Sequence, residues 1–186
     1  MRFGRNNLIT GWNISRGAVR GFTLVEILIV VMILGILATI VVPQMTSASK
    51  EARENTLKDD LRYLRTQIAV FRAQHHDIAP GYPSGKMSNA PTEAAFLDQV
   101  RMYSNDLCAT NATGSAAFPF GPYLQRMPEN PLNGSNKIKI IANNAALPAP
   151  QASEANSYGW IYKPATQEII ANSIGTDASG QAYSSY

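Results

Sequence analysis

The stretch from Gly21 to Pro43 constrains this chain more than any other. After Gly21 the sequence reads Phe22, Thr23, Leu24, Val25 and Glu26, then runs from Ile27 to Val42 with Thr39 as its only hydrophilic side chain. As a helix rising about 1.5 Å per residue, residues 22–42 reach roughly 31 Å, close to the ~30 Å hydrocarbon thickness of a bilayer. They therefore read as a membrane span. Glu26 lies one turn inside it, where an ionised side chain at bilayer depth costs roughly 2.5–3.5 kcal/mol on insertion scales. Two readings of that carboxylate stand: it sits near the membrane face and reaches out to water, or it is kept in the span for a purpose.

The charge distribution fixes an orientation. The formal net charge is +3, but four of the sixteen Lys and Arg residues, Arg2, Arg5, Arg16 and Arg20, lie in the first 21 positions, where there is no acid. Sixteen less four leaves 12 basic against 13 acidic residues, so the basic balance belongs to the leader and gives no reason to expect nucleic-acid binding. Basic residues beside a span stay on the cytoplasmic side, which puts the remainder of the chain across the membrane. An ordinary secretory signal is cut after its apolar stretch, at small residues. Ala38 and Thr39 offer a poor site of that kind, whereas the junction from charged to apolar sequence at Gly21 is sharp.

Gly21, Phe22, Thr23, Leu24, Val25 and Glu26, behind an Arg-rich leader and ahead of an apolar helix containing Gly35 and ending at Pro43, closely resemble the prepilin signature of the type IV pilin and type II secretion pseudopilin family. The resemblance covers roughly the first 75 residues. It implies that a prepilin peptidase cuts after Gly21, that the new Phe22 amine is methylated, and that the mature protein is a filament subunit and not an enzyme. It also implies an α+β pilin-like fold, with a long N-terminal helix packed on a short antiparallel β-sheet. The implied partners are further copies of the chain, other pseudopilins, an inner-membrane assembly platform and lipid, with a single-pass anchor in the inner membrane and a periplasmic C-terminal domain. Glu26 is implied to meet the amine of a neighbouring subunit during assembly. Its spacing from Phe22 also allows a pair within one helix.

The organisation that follows is a leader at 1–21, a span at 22–43, its amphipathic continuation at 44–74, and a globular domain at 75–186 that packs on residues 50–74. Pro43 is expected to kink the helix, since an interior proline removes a hydrogen bond. Beyond it, Leu57, Leu61, Leu64, Ile68 and Phe71 recur every three or four positions among charged residues, the pattern of an amphipathic helix, with Glu54 and Lys58 spaced as a favourable pair. A coiled-coil seam is the rival reading, although only about two heptads are regular. A loop follows at 75–87, rich in Pro and Gly, then a helix opened by Pro91, Thr92 and Glu93 and reaching about Tyr103. Residues 104–118 read as a surface loop.

Three strands are expected at 137–142, 158–163 and 168–172, the last two joined by a four-residue hairpin loop at 164–167. Residues 143–156 read as a surface insertion. The sheet would cover Leu61, Leu64, Ile68 and Phe71 with Ile138, Ile140, Trp160, Tyr162 and Ile170. Ahead of it, Gly121, Pro122, Tyr123 and Leu124, then Pro128 to Pro131, resemble the passage by which major pseudopilins enter their sheet, with Leu132 where many relatives have Trp.

Other chemistry is thinly represented. His75, His76 and Asp77 adjoin, but neighbours in a loop rarely ligate one ion together, and neither a Cys nor a third His completes a set. Neither a nucleophile–base arrangement nor a phosphate loop is recognisable. The single Cys108 has no partner for an internal disulfide and reads as a small buried apolar residue. Many pilus-forming pilins carry a cysteine pair, so a lone cysteine leans toward a pseudopilin. Residues 173–180 resemble the start of the loop where major pseudopilins bind calcium. Calcium takes six to eight oxygens including several carboxylates, and Asp177 is the only acid here, so a plain turn is the expectation and a calcium ligand at Asp177 the alternative. The leading reading is a type II secretion pseudopilus subunit that assembles into a periplasmic filament for protein export. A type IV pilus subunit for adhesion, motility or DNA uptake, and a monomeric membrane-anchored domain, remain the rivals.

Overall fold

The computed structural model describes residues 21–151 and 157–186; the leader arginines and the end of the 143–156 insertion lie outside the described residues. Helix α1 runs Leu24–Gln74, and contacts divide the chain into two compact units, Met1–Gln44 and Met45–Tyr186. In the first unit the apolar side chains point outward on every side of α1, and none of Leu24 to Val42 is buried. A helix apolar all round requires an apolar environment, and among the described residues α1 alone is long and apolar enough to cross a membrane. Thr39 satisfies its hydroxyl inside the helix by donating to the Ile36 carbonyl at 2.7 Å. The helix continues through Pro43, although Pro43 has no N–H to offer the Thr39 carbonyl.

In the second unit α1 buries one stripe. Leu57, Leu61, Leu64 and Ile68 join a core with Phe96, Val100, Leu124, Met127, Ile138, Trp160, Tyr162, Ile169, Ala171 and Tyr183. Burying each such apolar side chain contributes about 1.5–3 kcal/mol, which is why the stripe, and not the charged face, decides how this part of α1 docks. Phe71 differs from the expectation: it leaves the sheet and packs with Cys108 and Tyr123 in a second cluster. Helix α2, Glu93–Arg101, starts where expected because Thr92 caps it, its hydroxyl accepting the Ala95 N–H at 3.2 Å.

The expected surface loop at 104–118 proves partly ordered and partly buried. Strands β1, Tyr103–Ser104, and β2, Thr110–Asn111, pair antiparallel, and Ser104 and Cys108 are buried. The main sheet orders β3, Ile138–Ile140, β4, Trp160–Lys163, and β5, Glu168–Ala171, side by side. The β4–β5 hairpin is antiparallel, but β3 runs parallel to β4, so the sheet is mixed and not purely antiparallel. A parallel neighbour needs a crossover of about a dozen or more residues, and the segment between Ile140 and Trp160 is long enough. Register also corrects one core position. Tyr162 pairs with Ile140 and Ile169, while Ile161 pairs with Lys139 and Ile170. Ile169 therefore shares the Tyr162 face and enters the core, and Ile170 points to the other side. The layout is α+β and pilin-like.

Candidate assembly site

The residues singled out at the start of the span fall together. Gly21 and Phe22 precede α1 and are exposed, and a side chain added at Gly21 would meet nothing within 4 Å among the described residues. Thr23 and Glu26 form a capping box. One carboxylate oxygen of Glu26, Oε2, accepts the Thr23 backbone N–H at 2.9 Å and the Thr23 hydroxyl at 3.0 Å, while the Glu26 N–H donates to Thr23 Oγ1 at 3.2 Å. Reciprocal bonds of this kind satisfy donors that a helix start leaves orphaned, and a negative charge is favoured there by the helix dipole. Glu26 thus has a local partner that neither reading of the sequence foresaw. The signal was present, because Thr-x-x-Glu ahead of an apolar run is a capping-box pattern.

His75 and His76 turn to different partners. His75 is fully buried and stacked on Phe71, ring centroids 3.8 Å apart. Its Nδ1 lies 2.6 Å from the Phe71 carbonyl, which can only accept, so Nδ1 carries the proton and Nε2, 3.0 Å from Ser104 Oγ, accepts from that hydroxyl. Burial pushes its pKa down, against the pull of the Phe71 and Asn105 backbone and the Asp106 charge. His76 faces Asp106 at 3.7 Å, and Asp77 pairs with Arg72. Cys108 is buried, and burial followed by the Asp106 charge pushes its thiol up to about 11, so it is a neutral packing group at physiological pH.

The expected Glu54–Lys58 pair is replaced by two others. Glu54 is buried, lies 3.7 Å from Lys50, and accepts the Tyr183 hydroxyl at 2.8 Å. Lys58 turns instead to Asp177 at 3.5 Å. The C-terminal segment covers this turn of α1, and its polar groups outcompete the neighbour along the helix. Around Asp177, Oδ1 accepts the Ser179 N–H at 2.8 Å, the Ser179 hydroxyl at 2.6 Å and the Gln181 N–H at 3.0 Å; Oδ2 accepts the Tyr186 hydroxyl at 2.9 Å. These bonds, led by the Ser179 hydroxyl, hold its carboxyl well below the usual carboxylate range.

The passage before the sheet is tied down by one residue that the sequence did not mark. Asn130 is fully buried. Its amide donates to the Gly159 carbonyl at 2.8 Å and to Ser173 Oγ at 2.9 Å, and its oxygen accepts the Leu132 N–H at 3.0 Å. Tyr123 and Leu124 both donate their N–H groups to the Val100 carbonyl, at 2.9 and 2.8 Å, which fastens the Gly-x-Tyr-Leu stretch to the end of α2.

Residues 16–42 match the family description "Prokaryotic N-terminal methylation motif". The type II secretion system core protein G of Klebsiella pneumoniae is 30% identical over 112 residues, 60% of this chain and 68% of the relative. That of Dickeya chrysanthemi is 25% identical over 160 residues, 86% of this chain and 90% of the relative. A competence protein, ComGC, of Halalkalibacterium halodurans is 36% identical over 55 residues, covering 30% of this chain. No solved structure gives a significant match.

Proposed function

The chain belongs to the family of the type II secretion system core protein G, the major pseudopilins, and from that premise we propose that it is a structural subunit of a type II secretion pseudopilus, held in the inner membrane by α1 until it enters the filament. The observation that carries the reading is the division of α1: an uncovered apolar first half with a single carboxylate at its start, and a second half that buries one stripe in an α+β domain. The first half is a lipid-soluble anchor that helix packing between copies can replace. The Dickeya chrysanthemi relative extends over 86% of this chain and the competence protein over 30%, which favours secretion over DNA uptake.

In this reading the leader arginines remain cytoplasmic and the domain from Met45 onward is periplasmic. Prepilin peptidase cuts between Gly21 and Phe22. Among the described residues nothing lies within 4 Å of a side chain added at Gly21, so in this reading a glycine there serves the peptidase and not the fold. Cleavage leaves a positive amine on Phe22, and Glu26 exchanges its Thr23 cap for the amine of a neighbouring subunit, a pairing that neutralises two ions in lipid. The assembly platform and other pseudopilins are the remaining partners.

The test is a Glu26→Ala variant beside the parent. Membrane insertion and domain folding should persist, since removing a charge favours insertion, while the yield of crosslinked or sheared polymer falls severely and secretion with it. Mass spectrometry of extracted parent protein should give an N-terminal methyl-Phe. Normal polymer yield from the variant would return Glu26 to a purely local cap, and an N-terminus at Met1 or after Ala38 would overturn the cleavage assignment.

A further inference from the structure

The C-terminal loop closes on α1 through three side chains of that helix. Glu54 takes the Tyr183 hydroxyl, Lys58 reaches Asp177, and Arg65 donates to the Ile169 carbonyl at 3.1 Å and to the Tyr186 carbonyl. Spacings of four and seven put all three on one helix face. Within the loop, Asp177 N–H donates to the Gln181 carbonyl at 2.9 Å and Tyr183 N–H to the Gly175 carbonyl at 3.1 Å. Asp177 is the hub, its side chain only 7% exposed.

The chemistry around that hub does not suit a divalent cation. Calcium requires six to eight oxygens turned toward it with their lone pairs. Here Ser179, Gln181 and Tyr186 turn N–H and O–H groups toward the carboxylate, and Lys58 brings an ammonium. Among the described residues, no grouping of three or more His, Cys, Asp or Glu that could hold a metal ion occurs. The Lys58 ammonium also lies 4.3 Å from the centroid of the Tyr186 ring, within the range of a cation–π contact. One cation therefore touches both the hub carboxylate and the ring that caps it.

We propose that Lys58 is the built-in cation of this loop: its ammonium, held between the Asp177 carboxylate and the Tyr186 ring, locks the C-terminal segment onto α1 in the role that a bound calcium would otherwise fill. The loop then closes without metal, and its closure is a property of the chain alone.

Chymotryptic cleavage after Tyr183, which is buried, reads loop opening directly. Full-length protein in detergent micelles would be digested in excess calcium and in chelator, with the products identified by mass spectrometry. The parent should be cut at one rate in both. Lys58→Met should be cut about three- to tenfold faster, the range for losing a partly exposed charge pair together with its ring contact, and calcium should not restore protection. Lys58→Arg should stay close to the parent, and Asp177→Asn should match Lys58→Met, so a methionine variant that failed to fold would still leave two comparisons. Faster cleavage of the parent in chelator, an unchanged rate in Lys58→Met, or an unchanged rate in Asp177→Asn would each overturn the proposal.

Discussion

Replacing Asn130 by alanine should destabilise the domain more than its size suggests. The substitution removes little apolar contact but strips partners from the Gly159 carbonyl, the Ser173 hydroxyl and the Leu132 N–H. The Gly159 carbonyl keeps the Asn172 N–H at 2.9 Å, so the main losses are the other two groups. At about 1–3 kcal/mol for each polar group left without a partner, the cost comes to about 2–6 kcal/mol. For a unit of this size, near 3–4 °C per kcal/mol, the melting temperature should fall by about 6–24 °C. Trp160 is the natural reporter, because its indole N–H donates to the Pro128 carbonyl at 2.9 Å in the same passage. Melts would use the full chain in detergent with Trp12→Phe, so that Trp160 alone fluoresces. The isosteric Asn130→Asp sharpens the test by turning an oxygen on the Gly159 carbonyl. At neutral pH it should cost at least as much as alanine. A buried carboxyl in that position titrates above its unfolded value, so the charge part of the penalty grows as pH rises past ~3.9 and is absent below it. If both variants melted within about 2 °C of the parent at neutral pH, the argument that Asn130 ties the sheet to its preceding passage would be wrong.

Two further outcomes are expected. Burial holds the His75 pKa below its unfolded value of about 6.5, with Asp106 pulling it up and His76 pushing it down; the folded state resists the proton that the unfolded chain accepts. Stability should thus be full above pH 6.5 and decline as pH falls below it, and the decline should flatten in His75→Gln; equal slopes in denaturant titrations of parent and variant from pH 7 to 5 would contradict this. Removing residues 1–49 should leave a soluble, folded monomer, since the Leu57 to Ile68 stripe has its own sheet and α2 to pack on; aggregation, or loss of the sheet signal in circular dichroism, would move the domain boundary.

What the sequence determined by itself were the features carried by neighbours along the chain. The span is legible because a bilayer demands unbroken apolar residues over a set length. The stripe from Leu57 to Ile68 is legible because helical periodicity puts every third or fourth residue on one face, and the β4–β5 hairpin because two strand patterns flank a short loop. The Thr23–Glu26 cap belongs to this class too, since its partners lie three positions apart. Tertiary structure alone decided the rest. Whether β3 runs parallel or antiparallel depends on where its connection re-enters the sheet, and the choice of Ile169 over Ile170 depends on register with a partner strand. Lys58 leaves the Glu54 beside it on the helix for Asp177, 119 positions away, and Asn130 meets Ser173 across 43. Local patterns reflect which face of an element is apolar, and burial is strong enough to act on that face wherever the element docks. A polar side chain such as Lys58 or Asn130 takes its partner from whatever groups the finished fold leaves in need of one, and that is settled only when distant segments have met.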